Sequence, residues 1–147
     1  MKGFKTIIIL LSLVVLSSCK DKTTASSTPV IQNKDHLAIA TNMAKTILEK
    51  QKAGLFHELT KENATIAMVT GLTEERQKSS YQKIKGLFGD YQSLEFHSVK
   101  VITQKEKLEI YRFKGNFEQS DDVEVRVVLN SNGKLAGFFI LPWKDTL

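Results

Sequence analysis

The sequence predicts an α+β fold in which N-terminal helices pack on a four-stranded antiparallel sheet. Two observations lead to this prediction. Between residues 36 and 88, apolar side chains recur at spacings of three and four, which is typical of helices. After Gly89 the apolar spacing becomes two, and short turns separate the segments, which is typical of antiparallel strands. The two regions form one predicted domain, residues 35–147, because single domains commonly contain ~100–150 residues.

The first predicted helix covers about residues 36–53. Asp35 is expected to be its N-cap, because a short acidic side chain can accept hydrogen bonds from the first free backbone N–H groups. Gly54 is expected to end the helix in a left-handed conformation, which is cheap for glycine. One face of this helix is apolar and is formed by Leu37, Ala40, Met43, Ala44, Ile47 and Leu48.

Two further helical segments are predicted before the sheet. The shorter one starts at residues 55–59, continues through residues 62–69 and ends near Gly71. The longer one is capped by Thr73 and has two glutamates in its first turn, where carboxylates favour the positive end of a helix. Gly89 is expected to end it.

Four strands are predicted, at about residues 92–103, 108–118, 123–130 and 134–142. The third has valines or leucine at every second position, and the Asn132-Gly133 pair after it is a strong signal for a tight hairpin. The fourth is apolar on both faces, which predicts a central or covered strand. Pro142 is expected to end the ladder.

The N-terminus has the pattern of a lipoprotein signal peptide, residues 1–18. Two lysines precede a ten-residue run, residues 7–16, that is almost entirely apolar. This run is too short for a transmembrane helix, which needs ~20 apolar residues. The following Leu16-Ser17-Ser18-Cys19 resembles a bacterial lipobox, which implies cleavage between Ser18 and Cys19 and acylation of Cys19 with chains such as palmitate. The alternative is an ordinary secretory signal with an incidental cysteine.

Residues 19–34 are predicted to be a lipidated, flexible tether that joins the domain to a membrane. Lys20 stands where enterobacterial lipoproteins of the inner membrane carry aspartate. This resemblance favours the outer membrane, facing the periplasm or the cell surface, if the cell has one. The only cysteine of the chain is Cys19, which excludes an intrachain disulfide and Cys-rich zinc sites. Lys2 and Lys5 leave with the signal peptide, so the formal charge of +5 overstates the basicity of the mature chain, and no nucleic acid partner is expected.

The glycine-containing motifs and strand segments of residues 36–142 resemble a known bacterial domain. They are the Gly71-Leu72-Thr73-Glu74-Glu75 helix start, the Gly86-Leu87-Phe88-Gly89 helix end, the segment from Tyr111 to Phe117, and the final run from Asn132 to Pro142. This domain of unknown function occurs ahead of secreted α/β-hydrolases or alone in lipoproteins. It is similar in fold to nuclear transport factor 2, a cone-shaped, cystatin-like α+β roll. The resemblance implies a pocket between helix and sheet and dimerisation through the sheet, but no catalytic residues.

Several side chains are candidates for lining such a pocket. His97, Tyr111 and Arg126 lie on predicted strands and form the candidate pocket. A small acid/base enzyme would use His97 and Asp90 with Tyr111 as a nearby donor. The alternative is that Tyr111 is a core residue and Asp90 a turn residue. The histidine spacing fits no metal motif, and no cofactor is expected.

The sequence therefore favours a non-catalytic module that binds a ligand or a protein partner at the cell envelope. A small apolar ligand and a second copy of the chain are the expected partners, besides the membrane itself. The alternatives are the acid/base enzyme and an inhibitor or immunity-like lipoprotein that presents a surface to another protein.

Overall fold

The computed structural model describes residues 33–103 and 105–147. The predicted signal peptide, Cys19 and nearly all of the predicted tether lie outside the described residues. Three helices precede four strands: α1 (Lys34–Lys52), α2 (Ile66–Gly71), α3 (Glu74–Phe88), β1 (Tyr91–Thr103), β2 (Lys107–Phe117), β3 (Ser120–Asn130) and β4 (Leu135–Pro142). None of the described helices is both long and apolar enough to cross a membrane.

The four strands form one open antiparallel sheet in the order β1-β2-β3-β4. The predicted α+β class and the four-stranded meander are therefore confirmed. The prediction that the last strand is central or covered is wrong, because β4 is an edge strand. Its apolar side chains lie on both faces, yet Phe139 is 48% and Leu141 37% exposed on the face away from the helices.

The core lies between α1 and the inner face of the sheet. The buried residues of α1 are Ala40, Ala44, Ile47 and Leu48, and they belong to one cluster with the inward side chains of β3, namely Val123, Val125, Val127 and Leu129. These four β3 side chains lie on one face because successive strand residues point to opposite sides of a sheet. The same alternation places Tyr111, Phe113 and Phe117 of β2 in this core.

The start of α1 differs from the prediction by two residues. Asn33, not Asp35, is the N-cap, because its side-chain oxygen accepts hydrogen bonds from the N–H groups of Asp35 (3.0 Å) and His36 (3.3 Å). Asp35 instead lies in the first turn, where its charge still favours the helix. At the other end, Gly54 has φ +72°, which confirms the left-handed residue after the helix.

Residues 55–59 are not helical, which contradicts the prediction. The buried amide of Gln77 pairs with the backbone of this segment and takes the place of helical hydrogen bonds. It accepts a hydrogen bond from His57 N–H (3.1 Å) and donates to His57 C=O (2.8 Å) and Leu72 C=O (3.0 Å). The predicted Thr73 cap of α3 is confirmed, since the Thr73 hydroxyl accepts from Arg76 N–H.

Candidate functional site

An apolar groove with a volume of about 280 Å³ runs between α3 and β4. Tyr81 and Ile84 of α3, together with Leu72 just before this helix, form one wall. The opposite wall consists of four consecutive β4 residues, 138–141. Its polar lining comes from Gln51, Ser80 and Lys83.

The position of this groove follows from the alternation of side chains along β4. Phe138 and Ile140 point towards the helices, whereas Phe139 and Leu141 pair with outward-facing residues of β3. Side chains on opposite faces can line one groove only if the groove lies beside the strand. The groove therefore follows the unpaired edge of the sheet, with its apolar floor under α3.

Gln51 is the buried polar residue of the groove. It is 5% exposed, and its Oε1 atom has no hydrogen-bond partner among the described residues. The same side chain borders an adjoining hollow of about 280 Å³ next to Gly54 and Leu55. Tyr81 lines both spaces, so Gln51 and Tyr81 lie at their junction.

Tyr81 is held in place by Asp90, the residue that precedes β1. Its hydroxyl donates a hydrogen bond to the Asp90 carboxylate, which also pairs with Lys85 Nζ at 2.8 Å. The hydrogen bonds from Lys85 and Tyr81 lower the pKa of Asp90, while burial raises the pKa of Tyr81. Asp90 therefore positions the wall of the groove as a fixed anion.

The structure does not bring the predicted pocket residues together. Tyr111 is 1% exposed on the inner face of the sheet. His97 lies at a bulge between Phe96 and Ser98, and its ring packs against Trp143 with centroids 4.7 Å apart. Trp143 also lies against Arg112, whose strand position is on the outer face. The acid/base arrangement of His97, Asp90 and Tyr111 is therefore not formed, because His97 and Tyr111 lie on opposite faces of the sheet.

Arg126 belongs to an ion-pair cluster on the outer face. Its Nε atom lies 2.8 Å from the carboxylate of Glu124, which Arg112 holds in bidentate fashion at 2.8 and 2.9 Å. Glu124 is fully buried, and burial would raise its pKa, but the hydrogen bonds from the two arginines outweigh burial and lower it. Arg112 also donates to the carbonyl oxygen of Lys144, so this cluster fastens the segment after β4.

A second buried carboxylate, Glu109, was not predicted. It accepts hydrogen bonds from the Tyr111 hydroxyl (2.7 Å) and pairs with His36 Nδ1 (2.9 Å) and Lys107 Nζ (2.9 Å). Burial would raise the pKa of Glu109, but the hydrogen bonds from Tyr111, Lys107 and His36 lower it to about 2. The sequence pattern that could have indicated this contact is the position of Glu109 two residues before Tyr111, because this spacing places both side chains on one face of β2.

Neither carboxylate cluster has the composition of a metal site, and no group of three or more metal-ligating side chains occurs within residues 33–103 and 105–147. No protein-family model matches this chain, and no curated protein or solved structure is significantly similar to it. The groove beside β4 is therefore the candidate site on geometric grounds alone. The sequence predicts ordinary core positions for its side chains, since Tyr81, Ile84 and the β4 residues lie on apolar faces.

Proposed function

We propose that this chain is a lipid-anchored cell-envelope protein whose domain, a cone-shaped roll similar to nuclear transport factor 2, is a non-catalytic binding module. The observation that carries the proposal is the apolar groove beside β4. A concave, mainly apolar site with a few polar groups is typical of ligand recognition.

The ionisable groups of the groove favour binding over acid/base catalysis. They are Tyr81, whose hydroxyl is engaged by Asp90, and Lys83, which is exposed at the rim. The buried carboxylates Glu109 and Glu124 lie in ion pairs away from the groove. A general base needs a partner within hydrogen-bond reach of its substrate, and the groove wall offers no carboxylate or histidine.

The membrane part of the proposal rests on Cys19 and the lipobox-like residues before it, with Ser18 and Cys19 flanking the cleaved bond. Two or more acyl chains on one residue provide stable anchoring. In cells fed with labelled palmitate, we expect the wild-type chain to be labelled and recovered in the membrane fraction, and the outer membrane where there is one. Cys19→Ala should abolish both. A Cys19→Ala chain that stays in the membrane with unchanged mass would contradict the anchor.

The groove can be tested independently of the anchor with N-phenyl-1-naphthylamine, a neutral dye that fluoresces in apolar sites. We expect the protein to bind it, and Ile84→Glu to weaken binding at least about tenfold, because a carboxylate in the groove must be desolvated by an apolar ligand. Leu87→Glu is the matched control, since Leu87 lies on the same helix but is 67% exposed and outside the groove. Equal dye binding by both variants would refute the assignment of the groove.

A further inference from the structure

We infer that the groove takes an extended peptide from a partner protein, which adds to β4 as a fifth strand of the sheet. This inference rests on the proposed function, because it names the class of partner that the groove binds. It needs free backbone groups on the edge of β4, apolar side-chain sites beside them, and a reason why the occupant is a peptide from another protein.

The hydrogen-bond pattern shows which β4 residues face the edge. Trp143 N–H donates to Asp122 C=O at 3.0 Å, in the same register that pairs β3 with residues 137–142. Residues of an antiparallel pair alternate between bonding to the partner strand and facing away from it. Leu141 and Phe139 therefore bond to β3, whereas Ile140 and Phe138 direct their N–H and C=O groups towards the groove.

The beginning of β4 already pairs in this way within the chain. Leu135 N–H donates to Asn63 C=O and Thr65 N–H donates to Leu135 C=O, both at 2.9 Å, in a parallel bridge centred on Ala64. The chain then turns away into α2. Pro142 has no N–H group and ends the usable edge. The open window is therefore the stretch of the β4 edge between Leu135 and Pro142. It offers the N–H and C=O groups of Phe138 and Ile140, and no described residue is bonded to these four groups. They suit a short extended peptide.

The side chains around the window define the peptide further. Side chains that point from an added strand towards α3 meet Leu72, Ile84 and Phe138, so apolar residues at every second position suit the groove. Lys83 lies at the rim and favours an acidic residue in the partner. A second copy of β4 does not supply one, because its sequence LAGFFILP contains no acidic residue. Charge complementarity therefore favours another protein over self-association.

The inference can be tested by selecting random octapeptides displayed on phage against the purified full-length lipidated protein. The best binders are then synthesised with an N-methyl group on each amide in turn. N-methylation removes one backbone donor, so we expect alternate positions to lose about tenfold or more in affinity and the intervening positions to change little. Equal effects at all positions, or a selection that yields no binder, would overturn strand addition.

The protein side is tested with Ile140→Pro, which deletes a groove-facing N–H at an edge position that tolerates proline. Ile140→Val is the matched control, since it has a similar volume and keeps the donor. We expect the proline variant to lose at least about tenfold in peptide affinity relative to the valine variant, with unchanged far-UV circular dichroism. Equal affinities would refute the role of the strand edge.

Three outcomes separate this inference from the proposed function. If peptides bind without sensitivity to N-methylation but Ile84→Glu abolishes binding, strand addition is wrong and the groove remains a binding site. If the naphthylamine dye also fails to bind, the proposed function falls as well. If a synthetic peptide of residues 24–32 competes with the selected peptides, the edge belongs to the chain's own tether, and the assignment to a partner protein is overturned.

Discussion

Replacing Glu109 with glutamine tests whether charge on this buried side chain stabilises the fold. Glu109 is 1% exposed, and its carboxylate contacts the side chains of His36, Lys107 and Tyr111 at 2.7–2.9 Å. Glutamine has nearly the same shape and can still accept the Tyr111 hydrogen bond, but it cannot form the ion pairs. The substitution therefore removes the charge and leaves the packing nearly unchanged.

The magnitude follows from the pKa of Glu109, which is about 2 in the folded protein against 4.5 for a free glutamate. This difference corresponds to about 3 kcal/mol of unfolding free energy at pH 7. Because the folded pKa is the lower one, the contribution is complete above the unfolded pKa and is lost as the pH falls through the folded pKa. At pH 3 about 1 kcal/mol remains. Glu109→Gln should therefore cost about 3 kcal/mol at pH 7 and clearly less at pH 3.

Urea unfolding followed by far-UV circular dichroism at both pH values measures these differences. Glu95→Gln is the control, since Glu95 is an exposed β1 residue and should change the unfolding free energy by less than about 0.5 kcal/mol. A Glu109→Gln penalty of the same size at pH 7 and pH 3 would refute the electrostatic reasoning, because the loss would then come from shape. A negligible penalty at pH 7 would refute it as well.

Further substitutions, two of them with a matched control, test the packing around the sheet and α3. Gln77→Leu should lower the free energy of unfolding in urea by about 3 kcal/mol, since it leaves three backbone groups unpaired. The control Gln82→Leu should be nearly neutral, because Gln82 is exposed. Equal effects of the two substitutions would contradict the bridging role of Gln77. Arg112→Lys should cost about 2 kcal/mol, because lysine cannot replace a bidentate pair, and an unchanged stability would contradict that geometry. Gly89→Ala should lose about 1–3 kcal/mol, since φ is +79° and the new Cβ would lie 2.7 Å from a side-chain carbon. Gly86→Ala should raise the free energy of unfolding by about 0.5–1 kcal/mol, because Gly86 is helical and has open space around it. If both glycine substitutions changed the stability in the same direction, this reasoning would be refuted.

The periodic segments were the predictable part of the fold. The strand bounds agree to within about three residues, and α3 ends before Gly89, because these features depend on local patterns: alternating valines, a capping threonine and a glycine with positive φ. The error at residues 55–59 has a tertiary cause. The apolar residues there suggest a helix, but the side chain of Gln77, twenty positions away, pairs with the backbone N–H and C=O of His57 in a non-helical segment.

The candidate site was harder to predict because it depends on the order of strands. The apolar run of β4 indicates burial on both faces, but β4 is the edge strand of the described sheet. This position depends on the order of the strands and is not visible in the local sequence of β4. The predicted pocket failed for a related reason. The bulge in β1 sets the side on which His97 lies, and bulges depend on cross-strand register. The local sequence around Gln51 does not indicate a binding site. Whether its side-chain oxygen has a hydrogen-bond partner depends on the residues that pack around it in the fold.

The pairing of each strand with its neighbour in sequence has a consequence for the order in which the chain can fold. Hairpins with short connections close quickly, so β1 to β4 can assemble one after another. Helix α1 is made first but packs on β3, and its contact between His36 and Glu109 joins positions 73 residues apart. Its apolar face therefore has no partner until most of the domain has been synthesised. A chain of this kind therefore completes its fold only after most of the domain has been synthesised.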